Sequence, residues 1–137
     1  MKDEQSEAPR LNRVVQGGRP AERLAESVIE VDLDEELERL RASDSYGSAD
    51  HSARVLVKRD GLRVVLIALH PAGRMHEHHA GAPISVHCLG GRIQFTVEGR
   101  THELTAGALL SVEAGLTHSA AASEESAFLL TLGGLSG

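Results

Sequence analysis

The chain reads as an all-β protein, a sandwich or barrel of short strands, and three observations lead there. From Arg54 to Leu132, short apolar and β-branched runs recur with Asp60-Gly61, Gly90-Gly91 and Glu98-Gly99 between them. Closely spaced strand runs punctuated by such turn pairs mark sandwiches and barrels rather than alternating strands and helices. A helical period appears only once, near the start. At 137 residues, 41% hydrophobic and 25% charged, the chain has the size and composition of one globular domain with a real core.

In order, residues 1–26 are polar, contain Pro9 and Gly17-Gly18, show no periodicity, and are expected to form a mobile arm. Residues 27–53 hold a short strand, Ser27 to Val31, and a helix. Asp32-Leu33-Asp34-Glu35 resembles a capping box, and Leu33, Leu37 and Leu40 recur at helical spacing, which predicts a helix from Asp34 to Ala42. Its other face is charged, so it should lie on the outside of a sheet. Ser43 to Ser52 reads as a loop. The barrel is expected over 54–132. Arg54 to Lys58 and Leu62 to Leu69 form a hairpin around Asp60-Gly61, and a histidine-bearing strand follows Gly73. Further strands are Ile84 to Leu89, Arg92 to Val97, Thr101 to Leu104, Leu109 to Val112, His118 to Ala121 and Phe128 to Leu132. Residues 133–137 are a frayed tail.

Composition narrows the function classes. A net charge of -6 with no Lys/Arg cluster argues against nucleic acid. No apolar run is long enough to span a bilayer, so a membrane partner is not expected. Aromatics at 2%, with no Trp, disfavour an aromatic cage. Cys88 is the single cysteine and cannot close an internal disulfide, which fits a reducing, cytoplasmic setting. A helical His-Glu-x-x-His zinc site is absent, because Ala80 stands where its second His is needed.

The chemistry concentrates in the histidines, seven of eight lying from His70 to His118. On a regular strand His76 and His78 share one face with Glu77 turned away, and two adjacent imidazoles can chelate one metal ion. His79 would then point to the surface or rim, and Glu77 into solvent. Counting from Ile84 puts Val86 and Cys88 inward and His87 outward unless a bulge intervenes. His102 alternates with Leu104 and should face the core. His51 and His70 should be exposed, and Cys88 should be a small buried apolar residue.

These residues resemble the cupin superfamily, small jelly-roll barrels that often hold a metal. Its first motif is a His-x-His pair, a Glu a few residues on, and a strand ending in Gly; His76-Glu77-His78 and the strand ending at Gly91 match. Its second is Gly, five residues, Pro, one residue, Gly, two residues, His, three residues, Asn; Gly107, Gly115 and His118 sit at that spacing. The resemblance covers Leu62 to Leu132 and implies a jelly-roll barrel, outside which the N-terminal arm and the one short helix read above would lie. It also implies a divalent transition metal (Fe, Mn, Zn, Ni or Cu) on His76, His78 and His118. The departures are informative: the motif-one Glu falls near Ile84, Ala82 or Pro83, Glu113 replaces Pro, and Ala122 replaces Asn.

Three imidazoles without a carboxylate leave the ion its full charge and open positions, so a small anionic substrate is expected. Walls of Val86, Cys88, Ile93, Phe95, Leu110 and Val112 would suit a small apolar remainder. The leading expectation is a metal-dependent oxidoreductase of the dioxygenase type, by analogy with three-His iron sites in cupin-like proteins. The alternatives are a non-enzymatic binding or sensing barrel, with or without metal, and a metal-dependent isomerase or lyase. The last needs a pocket base, for which His87 and His102 are the candidates. A homodimer is expected because Ser27 to Val31 reads as a short apolar strand set apart from the barrel, and a closed two-fold dimer is the commonest assembly.

Overall fold

The computed structural model describes residues 26–134. Among the described residues two helices, α1 (Leu33–Arg41) and α2 (Asp44–Gly47), precede nine strands. These are β1 (His51–Arg59), β2 (Leu62–Leu69), β3 (Arg74–His78), β4 (Ile84–Gly90), β5 (Arg92–Val97), β6 (Arg100–Thr105), β7 (Leu109–Val112), β8 (His118–Ala122) and β9 (Ser126–Gly133). They form two antiparallel sheets, ordered β1-β2-β9-β4-β7 and β3-β8-β5-β6. Every connection except β1–β2 and β5–β6 changes sheet, the winding of a β-sandwich jelly roll. Among the described residues no helix is long and apolar enough to cross a membrane. Most of the expected arm and the last residues of the tail, 1–25 and 135–137, lie outside the described residues.

Why the sheets stack is visible in the alternation of their strands. On β4, Ile84, Val86 and Cys88 are buried while the residues between them are half-buried. They join Ile67, Ile93, Phe95 and Phe128 in the core between the sheets. Burying such aliphatic and aromatic side chains contributes about 1.5–3 kcal/mol apiece. β2 is apolar on both faces for a different reason. Ile67 and Leu69 enter that core, whereas Leu66 and Ala68 face a second cluster with Leu40, Tyr46 and Leu56 beneath the helices. The five-stranded sheet is therefore covered on its outer side by α1, as the charged and apolar faces of that helix require.

α1 starts where the Asp32 side chain accepts a hydrogen bond from the Glu35 N–H at 3.1 Å. It begins at Leu33, one residue before the expected start. Its Glu36 is buried and takes a 2.9 Å ion pair from Arg54 of β1, both side chains at most 5% exposed. Three local expectations are corrected. Ser27 to Val31 is not a strand: Val28 is 82% exposed, and the chain runs in bends and extended backbone with no ladder partner among the described residues. Its start is held instead by Arg59, whose guanidinium donates to the carbonyls of Glu26 (2.6 Å) and Ser27 (3.2 Å). The loop after α1 contains α2, capped by Ser43, and β1 already begins at His51. His51 and His70 are half-buried. His70 stacks on Tyr46 with centroids 3.8 Å apart and donates from Nε2 to the Tyr46 carbonyl at 2.7 Å. Gly91 is obligatory: at φ +83 its Cα sits where a Cβ would strike Ser126 Oγ and the Glu125 carbonyl.

Candidate functional site

His78 and His118 meet across the β3–β8 ladder, where they are register partners. Their Nε2 atoms are 3.0 Å apart, and the rings cross at 73° with centroids 4.3 Å apart. A bulge creates this meeting. Met75 pairs with Ala120 and packs on the core, so unbroken alternation would bring Glu77 opposite His118. One extra residue between Met75 and His78 brings His78 there instead, turned to the core side. The shared face expected for His76 and His78 supposed a regular strand. In the bulged strand His76 is exposed and outside the His78–His118 contact, and His79 and Glu77 are exposed as well. Among the described residues no group of three or more His, Cys, Asp or Glu side chains is gathered at metal-binding spacing.

The hydrogen bonds of the two rings define which nitrogen is free. His78 Nδ1 lies 2.9 Å from the His76 carbonyl, and His118 Nδ1 lies 3.1 Å from the Leu116 carbonyl. A carbonyl only accepts, so both Nδ1 atoms carry the proton and both Nε2 atoms present lone pairs. Two lone pairs at 3.0 Å repel unless a proton or a cation sits between them. His118 is 3% exposed and stacks on Phe95 at 5.5 Å between centroids. Burial pushes its pKa below the ordinary imidazole range, and charge on His78 acts the same way. The site thus pairs a buried imidazole that resists protonation with an exposed one open to solvent.

The remaining candidates fall on different faces. His102 pairs with Phe95 and is half-buried on the core-facing side of its sheet. His87 pairs with Leu109 and Leu129, on the face opposite Val86 and Cys88, because the irregularity in β4 comes only after Cys88. Ile84 is buried in the core. Val86, Cys88, Ile93, Phe95 and Val112 belong to that same buried cluster, and Leu110 packs against it. Cys88 donates weakly from Sγ to the Gly90 and Leu104 carbonyls, and burial pushes its thiol pKa up. It is a packing residue. Ala122 is buried and Glu113 exposed.

Two features emerge only from strand register. Arg100 pairs with Val97, Val97 with His118, and His118 with His78, so one register row holds an exposed arginine and two histidines. On the opposing sheet Lys58 stands directly opposite Arg63, in the row of Leu132 and Ile84. Like charges directly opposed are destabilising without an anion, and Arg63 Nε is buried with no partner. No carboxylate among the described residues pairs with Lys58, Arg63 or Arg100.

The comparisons with known proteins agree with this architecture. The family model of the cupin domain matches residues 64–133. The chain belongs to the cupin family. No curated protein matches it. Among solved structures, a conserved protein of unknown function from Streptococcus pyogenes is similar at 22% identity and TM-score 0.61, covering 66% of this chain and 79% of that one. Salicylate 1,2-dioxygenase from Pseudoaminobacter salicylatoxidans is similar at 16% identity and TM-score 0.64, over 74% of this chain but 31% of that one. A variant of oxalate decarboxylase from Bacillus subtilis is similar at 24% identity and TM-score 0.57, over 63% and 26%. At these identities the likeness is one of fold.

Proposed function

We propose that this cupin binds one divalent transition metal through His78 and His118, with His76 as the third ligand. We further propose that it is an oxidoreductase of the dioxygenase type acting on a small anionic substrate. The carrying observation is the pair of Nε2 lone pairs facing each other at 3.0 Å, each ring held by a carbonyl at Nδ1. Metal-bound histidines typically donate their second nitrogen in this way, and an ion at the usual 2.0–2.1 Å from imidazole nitrogen reaches both rings. The donor set therefore fits a borderline divalent ion. Such an ion would supply Lewis acidity and open coordination positions; the protein's part is to hold two neutral imidazoles and to admit ligand past exposed His78.

Cations without a carboxylate partner among the described residues support an anionic ligand: Arg100 shares the histidine row, and Lys58 stands opposite Arg63. The dioxygenase choice is supported by fold likeness to a salicylate dioxygenase and is an analogy. A second reading, a binding or sensing cupin without turnover, is favoured by one observation: among the described residues only two imidazoles converge. We also propose a homodimer and a cytoplasmic location, the latter because the one cysteine is a free, buried thiol.

Tag-free protein should carry about one metal ion per chain by elemental analysis. His78→Ala and His118→Ala should each weaken affinity by more than the 10–100-fold typical of losing an outer-shell partner. Unchanged metal content in either variant would overturn the ligand assignment. His76→Ala reports separately on the third ligand. Anaerobic loading with iron(II), followed by small carboxylates and then dioxygen, separates the two functional readings. Carboxylate-dependent oxygen uptake supports the enzyme, and carboxylate binding without oxygen uptake supports the sensor.

A further inference from the structure

We propose that Glu98 is a positioning residue for the His118 imidazole, an inference that rests on reading His78 and His118 as metal ligands. β5 and β6 are joined by the two-residue turn Glu98-Gly99, with φ of +49 and +81. Two positive values define a type I′ hairpin turn, whose first position favours Asn, Asp or Gly. Glutamate is a poor choice there, since it is strained in the left-handed region and too long for the local hydrogen bonds that make Asn and Asp tolerable. Its presence is explained by a contact outside the turn.

Glu98 Oε2 accepts from the Thr117 N–H at 2.7 Å, and the Glu98 N–H donates to the Thr117 carbonyl at 2.9 Å. Thr117 immediately precedes His118. On the strand before the turn, Val97 is the register partner of His118 itself. On the other side of Thr117, the Leu116 carbonyl holds His118 Nδ1 at 3.1 Å. The same loop is tied at Gly115, whose N–H donates to the Ala80 carbonyl at 2.9 Å, two residues beyond His78. Residues 115–117 are thus clamped between the hairpin turn and the segment that carries the partner histidine. The clamp fixes the carbonyl that dictates the tautomer of His118 and so the direction of its free Nε2 lone pair. A side chain one methylene shorter satisfies the turn and gives up the short bond to Thr117.

The test compares Glu98→Asn, which suits the turn but shortens the reach, with Glu98→Gln, which keeps the reach and an accepting oxygen. In full-length Glu98→Asn the melting temperature should hold, while hydrogen exchange of the Thr117 amide at fixed pH speeds up by about tenfold or more, as expected for losing a hydrogen bond to a charged group. Zinc affinity, measured by competition with a chromophoric chelator, should fall about tenfold, the lower end for an outer-shell partner. Glu98→Gln should stay within about threefold of the parent on both measures. Parental Thr117 exchange in Glu98→Asn overturns the proposal, as does faster exchange with unchanged zinc affinity. Faster exchange spread evenly over β5 and β8 also overturns it, because that signals general loosening. If the parent binds no zinc, the metal reading falls by itself. Glu98 is then judged on the His118 Nδ1–H resonance, which should shift in Glu98→Asn and not in Glu98→Gln, and an unshifted resonance overturns the proposal.

Discussion

His118 is the residue where burial and chemistry meet. It is 3% exposed, and desolvation holds its folded pKa below that of an unfolded histidine. The sign of the consequence follows from proton counting. As pH falls, the unfolded chain takes up this proton first, near the ordinary value of about 6.5, so stability contributed by a neutral His118 is present above that value and lost below it. Metal-free protein should therefore melt at progressively lower temperature as pH drops from about 7.5 to below about 6.5. His118→Gln, which does not titrate, should show a shallower slope in calorimetry with chelator present. Equal slopes in parent and variant would contradict the assignment. Acid should release bound metal in the same direction, since ligands must be deprotonated to bind.

Among the elements, α1 shows how one polar contact is built into an apolar seam. Leu40 and its neighbours cover Leu56, Leu66 and Ala68, while Glu36 reaches Arg54 at 2.9 Å in the same layer. Removing one member of a buried pair leaves a charge that water cannot reach. Glu36→Ala, which takes away the carboxylate facing the buried Arg54 guanidinium, should thus destabilise by about 3–5 kcal/mol in urea titration. A loss under about 1 kcal/mol in the single variant would mean the pair is effectively solvated. β3 illustrates the opposite economy of means: a single inserted residue, with no change of residue type, decides which histidine faces its partner.

At the scale of the whole molecule, the two sheets are unequal, and β1 is an outer strand of the wider one. Its Ala53 and Val55 are exposed, Val55 at 36%, on the face opposite the helix-covered Ser52, Arg54 and Leu56. An outer strand with an apolar face invites pairing with a second copy, which is the basis for the proposed homodimer. Light scattering at micromolar concentration should give twice the chain mass, and Val55→Glu should return it to a monomer with its fold intact by circular dichroism. A monomeric parent would rule the dimer out.

The all-β class, the strand succession from Leu62 to Leu132, the capped helix and the likeness to cupins were legible in the sequence because each rests on local periodicity, turn residues and motif spacing. The inward Ile84, Val86 and Cys88 followed from alternation alone. The candidate site was legible only in part. His118 and His78 were named, but the sequence cannot reveal an extra residue in a ladder, since a bulge is defined by two strands and not by one. For the same reason the strand expected at Ser27 to Val31 did not form, as a strand needs a neighbour and this segment has none among the described residues. The clamp of Glu98 on Thr117 joins residues nineteen apart in sequence, and the row from Arg100 to His78 crosses four strands. Local preference set which segments are strands; pairing across the sheets decided which side chains meet.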